Sequence, residues 1–188
     1  MNSPSITRHR RPFLAPLWLL GALGMGLFVL LVGALLYYQR ATVTTVLIVR
    51  HAEKEPGGGE NPPLSAEGER RAERLATLLG RGGSVWSPVA IYVSATERSK
   101  QTAAPLARLL GVTPIVADAD PGVIVSLIQA EHHGEIVLVV GHSNTVPAIV
   151  AKLSGRHDVP KIDDDDYGNL YVVAIPSLGK ASVMQLDY

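Results

Sequence analysis

The sequence has no cysteine at all. That excludes disulfides and thiolate metal centres, and it fits a protein that leaves the reducing cytoplasm without stray thiols to oxidise. Aromatic residues make up 5% of the chain, with two phenylalanines and two tryptophans, so core packing must rest on aliphatic side chains. Excess charge is missing too: 17 Lys and Arg balance 17 Asp and Glu. The first 40 residues hold four arginines, Arg8, Arg10, Arg11 and Arg40, and no acid. The remainder is therefore mildly acidic, which excludes the basic footprint of a nucleic-acid binder. No internal repeat is present. Gly57, Gly58 and Gly59 form a glycine cluster, but no lysine followed by Ser or Thr stands at the spacing of a nucleotide-binding loop, so they read as flexibility.

Charge is wholly absent from Phe13 to Tyr38. The core of that stretch, residues 17–38, would rise about 33 Å as a helix, enough for a hydrocarbon layer of about 30 Å. It predicts a transmembrane signal-anchor helix, with Trp18, Tyr37 and Tyr38 placed as interfacial aromatics. Three arginines precede the stretch and one follows closely, so the positive-inside bias puts the N-terminus in the cytoplasm and the rest outside, as a single-pass membrane protein with a periplasmic or outer-face domain. Arg10 and Arg11 also suit twin-arginine export, and Val32-Gly33-Ala34 suits a cleavage site. The apolar run exceeds the usual signal core, which favours an uncleaved anchor. Residues 1–40 thus form an N-terminal anchor and residues 41–188 one domain.

Within that domain, strands alternate with helices. Apolar β-branched runs predict strands over 42–50, 90–94, 113–117 and 136–141. Helical apolar spacing covers 66–79, opened by Ser65 and ended by Gly80 and the Gly82-Gly83 pair, then 96–110, 123–132 and 145–153. Two last strands, 170–175 and 181–186, flank a Pro176-Ser177-Leu178-Gly179 turn. The pattern implies three α/β/α layers, a mostly parallel sheet and an antiparallel C-terminal hairpin. Such sheets bind ligands at the carboxyl ends of their strands. That edge collects Arg50, His51, Ser94, Arg98, His142 and the Ala117-Asp118-Ala119-Asp120 turn. The loop 55–63 directly behind His51 is predicted to be mobile and to border the site.

Two histidines and two arginines at strand ends point to phosphate chemistry. A phosphomonoester carries up to two negative charges, and arginine forks match its equatorial oxygens. Taken singly, either histidine reads equally well as a solvent-facing loop residue. Arg50-His51-Ala52-Glu53, Leu64-Ser65 with Gly68 and Ala72, Ser94 through Ala103 with Arg98, Gln101 and Thr102, and Gly141-His142-Ser143-Asn144 occur in this order. Together they resemble the motifs of the histidine phosphatase, or phosphoglycerate mutase-like, superfamily, as a short branch 1-like member.

The resemblance implies a phosphoglycerate mutase-like fold and a phosphatase acting through a phosphohistidine. His51 is then the nucleophile, while Arg50, Arg98 and His142 form the phosphate pocket. No metal or cofactor is implied, and the partners are a phosphorylated substrate, either a small molecule, an envelope component or a phosphoprotein, and the membrane. Glu53 is expected to make a structural hydrogen bond. The sequence departs from the family where the leaving group takes its proton. Ser143 stands where some branches carry an acid, and there is little chain between Arg98 and the fourth strand for a cap or an acid-bearing insert. Asp118 and Asp120 are the candidate general acids, each requiring an elevated pKa. A non-catalytic phospho-ligand-binding module and a mutase-like phosphotransferase remain as alternatives. The run Asp163 to Asp166 lacks the alternating ligands of a calcium loop and reads as a solvated surface run.

Overall fold

The computed structural model describes residues 17–40, 43–80, 86–118 and 120–188. The flanking Arg8, Arg10 and Arg11, the Gly82-Gly83 pair and Ala119 lie outside these, as does the side chain of Arg40. The chain divides into two compact units, Met1–Arg40 and Ala41–Tyr188. In the first, helix α1 (Leu17–Arg40) is 24 residues long, and its Trp18–Tyr37 window is long and apolar enough to cross a membrane.

The second unit is built on a six-stranded sheet: β1 (Val43–Arg50), β2 (Ala90–Val93), β3 (Ile115–Val116), β4 (Ile136–Gly141), β5 (Asn169–Pro176) and β6 (Ser182–Asp187). Their order is β3-β2-β4-β1-β5-β6. The first four are mutually parallel, while β5 runs antiparallel to β1 and β6 antiparallel to β5. The connecting helices are α2 (Ala66–Leu79), α3 (Glu97–Leu110), α4 (Pro121–Glu131) and α5 (Thr145–Ser154).

Strand β1 explains the layering. Its side chains alternate faces, and both faces are apolar. Val46 and Ile48 pack with Ile124 and Ile128 of α4 and Ile149 and Val150 of α5. Leu47 and Val49 pack with Leu75 and Leu79 of α2 and Ala103 and Leu106 of α3. The expected three layers are therefore present, with β1 at the centre. The predicted third strand shortens to two exposed residues because it is a sheet edge.

Helix starts match their sequence signals. Ser65 caps α2 by accepting from the Gly68 amide, and Asp120 caps α4 by accepting from the Gly122 and Val123 amides. Gly68 is required by packing: a Cβ there would meet the Glu53 carbonyl oxygen at 2.2 Å. The loop behind His51 is tied at its base, since Lys54 and Leu64 form an antiparallel bridge and the Glu55 amide donates to the Pro63 carbonyl. His132, at the end of α4, joins Tyr92 at 2.8 Å and Glu135 at 2.8 Å.

Candidate active site

Strand register carries the key groups to one edge. Arg50 pairs with Gly141 at the ends of β1 and β4, and the His51 amide donates to the Gly141 carbonyl. His142 follows Gly141 directly, and its ring centroid lies 5.2 Å from that of His51. Arg98 enters from the first turn of α3. Thr102, one turn later, accepts from the Ala52 amide at 2.9 Å while its hydroxyl donates to the Arg98 carbonyl at 2.7 Å. That buried hydroxyl locks the loop after β1 to the helix that carries Arg98.

The tautomer of His51 follows from its partners. Nδ1 lies 2.8 Å from the Ala52 carbonyl, which can only accept, so Nδ1 carries the proton. Nε2 then keeps its lone pair, and Arg98 Nε donates to it at 3.1 Å. Nε2 is therefore the unprotonated nitrogen of the ring. Burial lowers the His51 pKa from 6.5 to about 4; the positive Arg98 and Arg50 and neighbouring His142 add to this, and the Ala52 carbonyl opposes it. His142 is lowered by burial, then by Arg98 and Arg50.

A pH consequence follows. Between pH 6.5 and about 4 the unfolded chain binds a proton at this histidine that the folded chain refuses. The stabilising contribution of the neutral buried ring is therefore complete above pH 6.5 and is lost as pH falls through that window. An NMR titration of the His51 imidazole in the substrate-free protein should show a midpoint near 4. A midpoint at the ordinary histidine value would contradict the buried, arginine-flanked environment.

His142 Nε2 lies 2.9 Å from Ser94 Oγ, whose own hydroxyl donates to Ser99 at 2.9 Å. With its single proton so committed, Ser94 accepts from the Nε2–H of His142. Ser94 was foreseen at this edge; its grip on His142 was not.

Arg50 is 4% exposed and does more than the motif suggests. Its Nη1 donates to the carbonyls of Asp163 at 2.7 Å and Asp166 at 2.9 Å, and its Nη2 to that of Asp164 at 3.0 Å. The guanidinium also lies 4.1 Å from the centroid of the Tyr167 ring. Its Nε–H is buried without a partner, and one Nη2 hydrogen remains. Arg50 lines the cleft, where an arginine's charge suits an anion.

The cleft holds about 290 Å³ and is lined by Arg50, His51, Arg98 and His142 together with Lys54, Thr96, Ser143, Asn144 and Asp164. The four expected pocket residues are brought together. Asp118 and Asp120 are not among the lining residues, which corrects their selection as general acids. Asp118 Oδ1 accepts from the Asp120 amide, Asp120 serves as the α4 cap, and both are exposed; Asp120 lines a separate surface depression on α4. Glu53 forms a two-toothed pair with Arg71 at 2.6–3.0 Å, and Arg71 also donates to the Tyr188 carbonyl. It braces α2 and the chain end and does not line the cleft.

The comparisons with known proteins fit this geometry. The model of the histidine phosphatase superfamily, branch 1, matches residues 46–120, a span that includes Arg50, His51 and Arg98. Among solved structures, the protein histidine phosphatase SixA complexed with tungstate shares 22% identity over 76% of this chain and 96% of its own, with a TM-score of 0.65. A mycobacterial glucosyl-3-phosphoglycerate phosphatase shares 14% over 70% and 90%, with a TM-score of 0.58. A structure described as mycobacterial hydrolase 1 shares 14% over 78% and 99%, at 0.60. No curated protein matches the chain. The sheet and its flanking helices have the phosphoglycerate mutase-like fold. Residues 46–120 thus carry the match to the histidine phosphatase superfamily, branch 1, and the solved phosphatases share the chain's fold.

Proposed function

We propose that this chain is a membrane-anchored phosphatase that hydrolyses a phosphomonoester outside the cytoplasm through a phosphohistidine at His51. The observation that carries the mechanism is the commitment of His51 Nδ1–H to the Ala52 carbonyl, which leaves Nε2 unprotonated against Arg98. Nε2 attacks phosphorus in line, the N–P bond forms as the P–O bond breaks, and the leaving oxygen takes a proton. Water then attacks phosphorus, the N–P bond breaks, and inorganic phosphate leaves with His51 restored. Arg50 and Arg98 hold the equatorial oxygens, and His142 faces them as a further donor once protonated by the bound dianion's field.

Among the described residues the only carboxylate lining the cleft is Asp164, whose side chain is fully exposed beside Arg50. Among the described residues no buried acid lines the cleft, so the leaving oxygen draws its proton from water at the open mouth. Aryl phosphates, whose phenolate leaves without help, are the substrates expected to turn over fastest. A second reading rests on the same observation. Solved relatives include a protein histidine phosphatase, and a phosphorylated imidazole leaves as a neutral ring when its other nitrogen is protonated beforehand, with no acid needed from the enzyme. Comparing hydrolysis of p-nitrophenyl phosphate, an alkyl phosphate and a phosphohistidine peptide separates the two readings.

The anchoring rests on the uncharged run, the 24-residue α1 and the arginine bias before it. Because the chain lacks cysteine, a Leu178→Cys variant, at an exposed residue in the hairpin turn, is a single reporter. It should react with a membrane-impermeant maleimide added outside intact cells or spheroplasts. Labelling only after lysis would place the domain in the cytoplasm.

A further inference from the structure

Three hydroxyls stand behind His142, and the phosphoryl chemistry does not account for them. Ser94 and Ser99 are buried and Thr96 is half-buried. Ser94 Oγ donates to Ser99 Oγ at 2.9 Å, Thr96 Oγ1 donates to the same oxygen at 3.1 Å, and Ser94 and Thr96 lie 3.0 Å apart. Ser99 is thus the common acceptor. Thr96 occupies the N-cap of α3, where a threonine hydroxyl ordinarily accepts from a helix amide, yet it makes no such bond. Its hydroxyl is turned to Ser99 instead.

We propose that Ser99 is a positioning residue that fixes the tautomer of His142, so that this ring donates to the phosphoryl group only when protonated. The proposal rests on the phosphatase reading above and names a pH control of that same site. Counting protons gives the reason. Each hydroxyl has one to donate, and Nε2 of His142 lies 2.9 Å from Ser94 Oγ. With Nε2–H donating to Ser94, three bonds form: His142 to Ser94, Ser94 to Ser99, and Thr96 to Ser99. With Nε2 bare, Ser94 must turn its proton to the ring, and only two form. The wild type therefore keeps Nε2–H, by the margin of one hydrogen bond. Ser94 does not line the cleft and His142 does, so the neutral ring offers the cleft the lone pair of Nδ1. That lone pair repels a phosphoryl dianion, whereas a proton on Nδ1 makes the ring a charged donor. The charged and titratable groups around the ring are Arg98 from α3, Arg50 and His51 from the end of β1, and Lys54 and Asp164 along the cleft. Burial, then Arg98 and Arg50, hold the pKa of His142 below its ordinary value, and a bound dianion opposes them.

Ser99→Ala removes the common acceptor. Ser94 and Thr96 then share one bond, two bonds form with His142 in either tautomer, and the preference disappears. The full-length protein in detergent, carrying isotope-labelled histidine, is examined by nitrogen NMR without substrate at about pH 8, where imidazoles are neutral. A His142→Asn spectrum assigns the signals. The wild type should show His142 almost wholly as the Nε2–H form, and Ser99→Ala should show both forms within about threefold of each other. For p-nitrophenyl phosphate, kcat/KM of the wild type should fall steeply between about pH 6 and about pH 8.5. Ser99→Ala should keep about three- to tenfold more of its own optimum at the upper end, because its neutral ring can present Nδ1–H. Ser94→Ala, which removes the partner of Nε2 itself, should flatten the profile likewise, and it carries the test should the buried Ser99 position not tolerate alanine. A wild type in the Nδ1–H form, or a tautomer and pH profile that neither substitution shifts, overturns the proposal and leaves the phosphatase reading standing. A wild type that releases phosphate from no aryl ester at any pH defeats the phosphatase reading itself, with the tautomer measurement unaffected.

Discussion

Replacing His51 with alanine is expected to lower hydrolysis of p-nitrophenyl phosphate below about one-thousandth of the wild-type rate. The size of the loss follows from the role. Arg50, Arg98 and His142 can still seat the phosphoryl group, but among the described residues lining the cleft only His51 has a ring nitrogen that accepts from an arginine. Binding of an inert phosphate analogue should therefore survive, while the acid-labile phosphate trapped after a short substrate pulse should vanish. Truncation should leave the fold intact, because the ring's own bond is to the adjacent Ala52 carbonyl and the apolar clusters on both sheet faces do not include His51. Circular dichroism of the variant checks this. Retained turnover with trapped phosphate still present would place the nucleophile elsewhere.

Much of this site is legible in the sequence because the fold converts position along a strand into position in space. A buried strand that ends on Arg50-His51 and another that ends on Gly141-His142 must deliver those residues to one edge once the two pair in parallel. Helix α3 adds Arg98 by the same logic, since Thr96 marks its start and places the arginine in its first turn. Local signals also fix helix ends well: Ser65 opens α2, and Gly111 closes α3 with a left-handed φ of 68°.

What the sequence conceals are contacts between segments far apart in the chain that carry no periodicity. The grip of Arg50 on the aspartate run spans 113 to 116 residues and uses backbone carbonyls, so no residue type on the loop announces it. The pairing of Glu53 with Arg71 is likewise visible only once α2 packs against the first loop. Asp118 and Asp120 mislead because a carboxylate after a strand end is also the commonest kind of helix cap, and Asp120 is used that way. Proline at the next position, Pro121, was the available clue to a helix start there.

The double duty of Arg50 makes Arg50→Lys the sharper test of how binding and folding are joined in this domain. Lysine keeps the positive charge but offers three donors on one nitrogen in place of a planar fork. In the wild type two nitrogens reach three carbonyls at 2.7–3.0 Å, and the same guanidinium lines the cleft. A single ammonium cannot serve both tasks. If it stays with the loop, the phosphoryl oxygens lose a donor, and if it turns to the phosphate, the loop loses its anchor. Activity towards an aryl phosphate should fall about a hundredfold or more, the scale seen when a transition-state donor is removed. Stability should fall by about 2 kcal/mol, because neutral carbonyls near the surface regain only part of their hydrogen bonding from water. For a domain of this size that corresponds to a drop in Tm of roughly 4–8 °C. The two effects should couple: saturating vanadate should restore less thermal stability to the variant than it adds to the wild type, since the lysine must then abandon the loop. Equal stabilisation of both proteins by vanadate would mean that the phosphate and the aspartate loop draw on Arg50 independently.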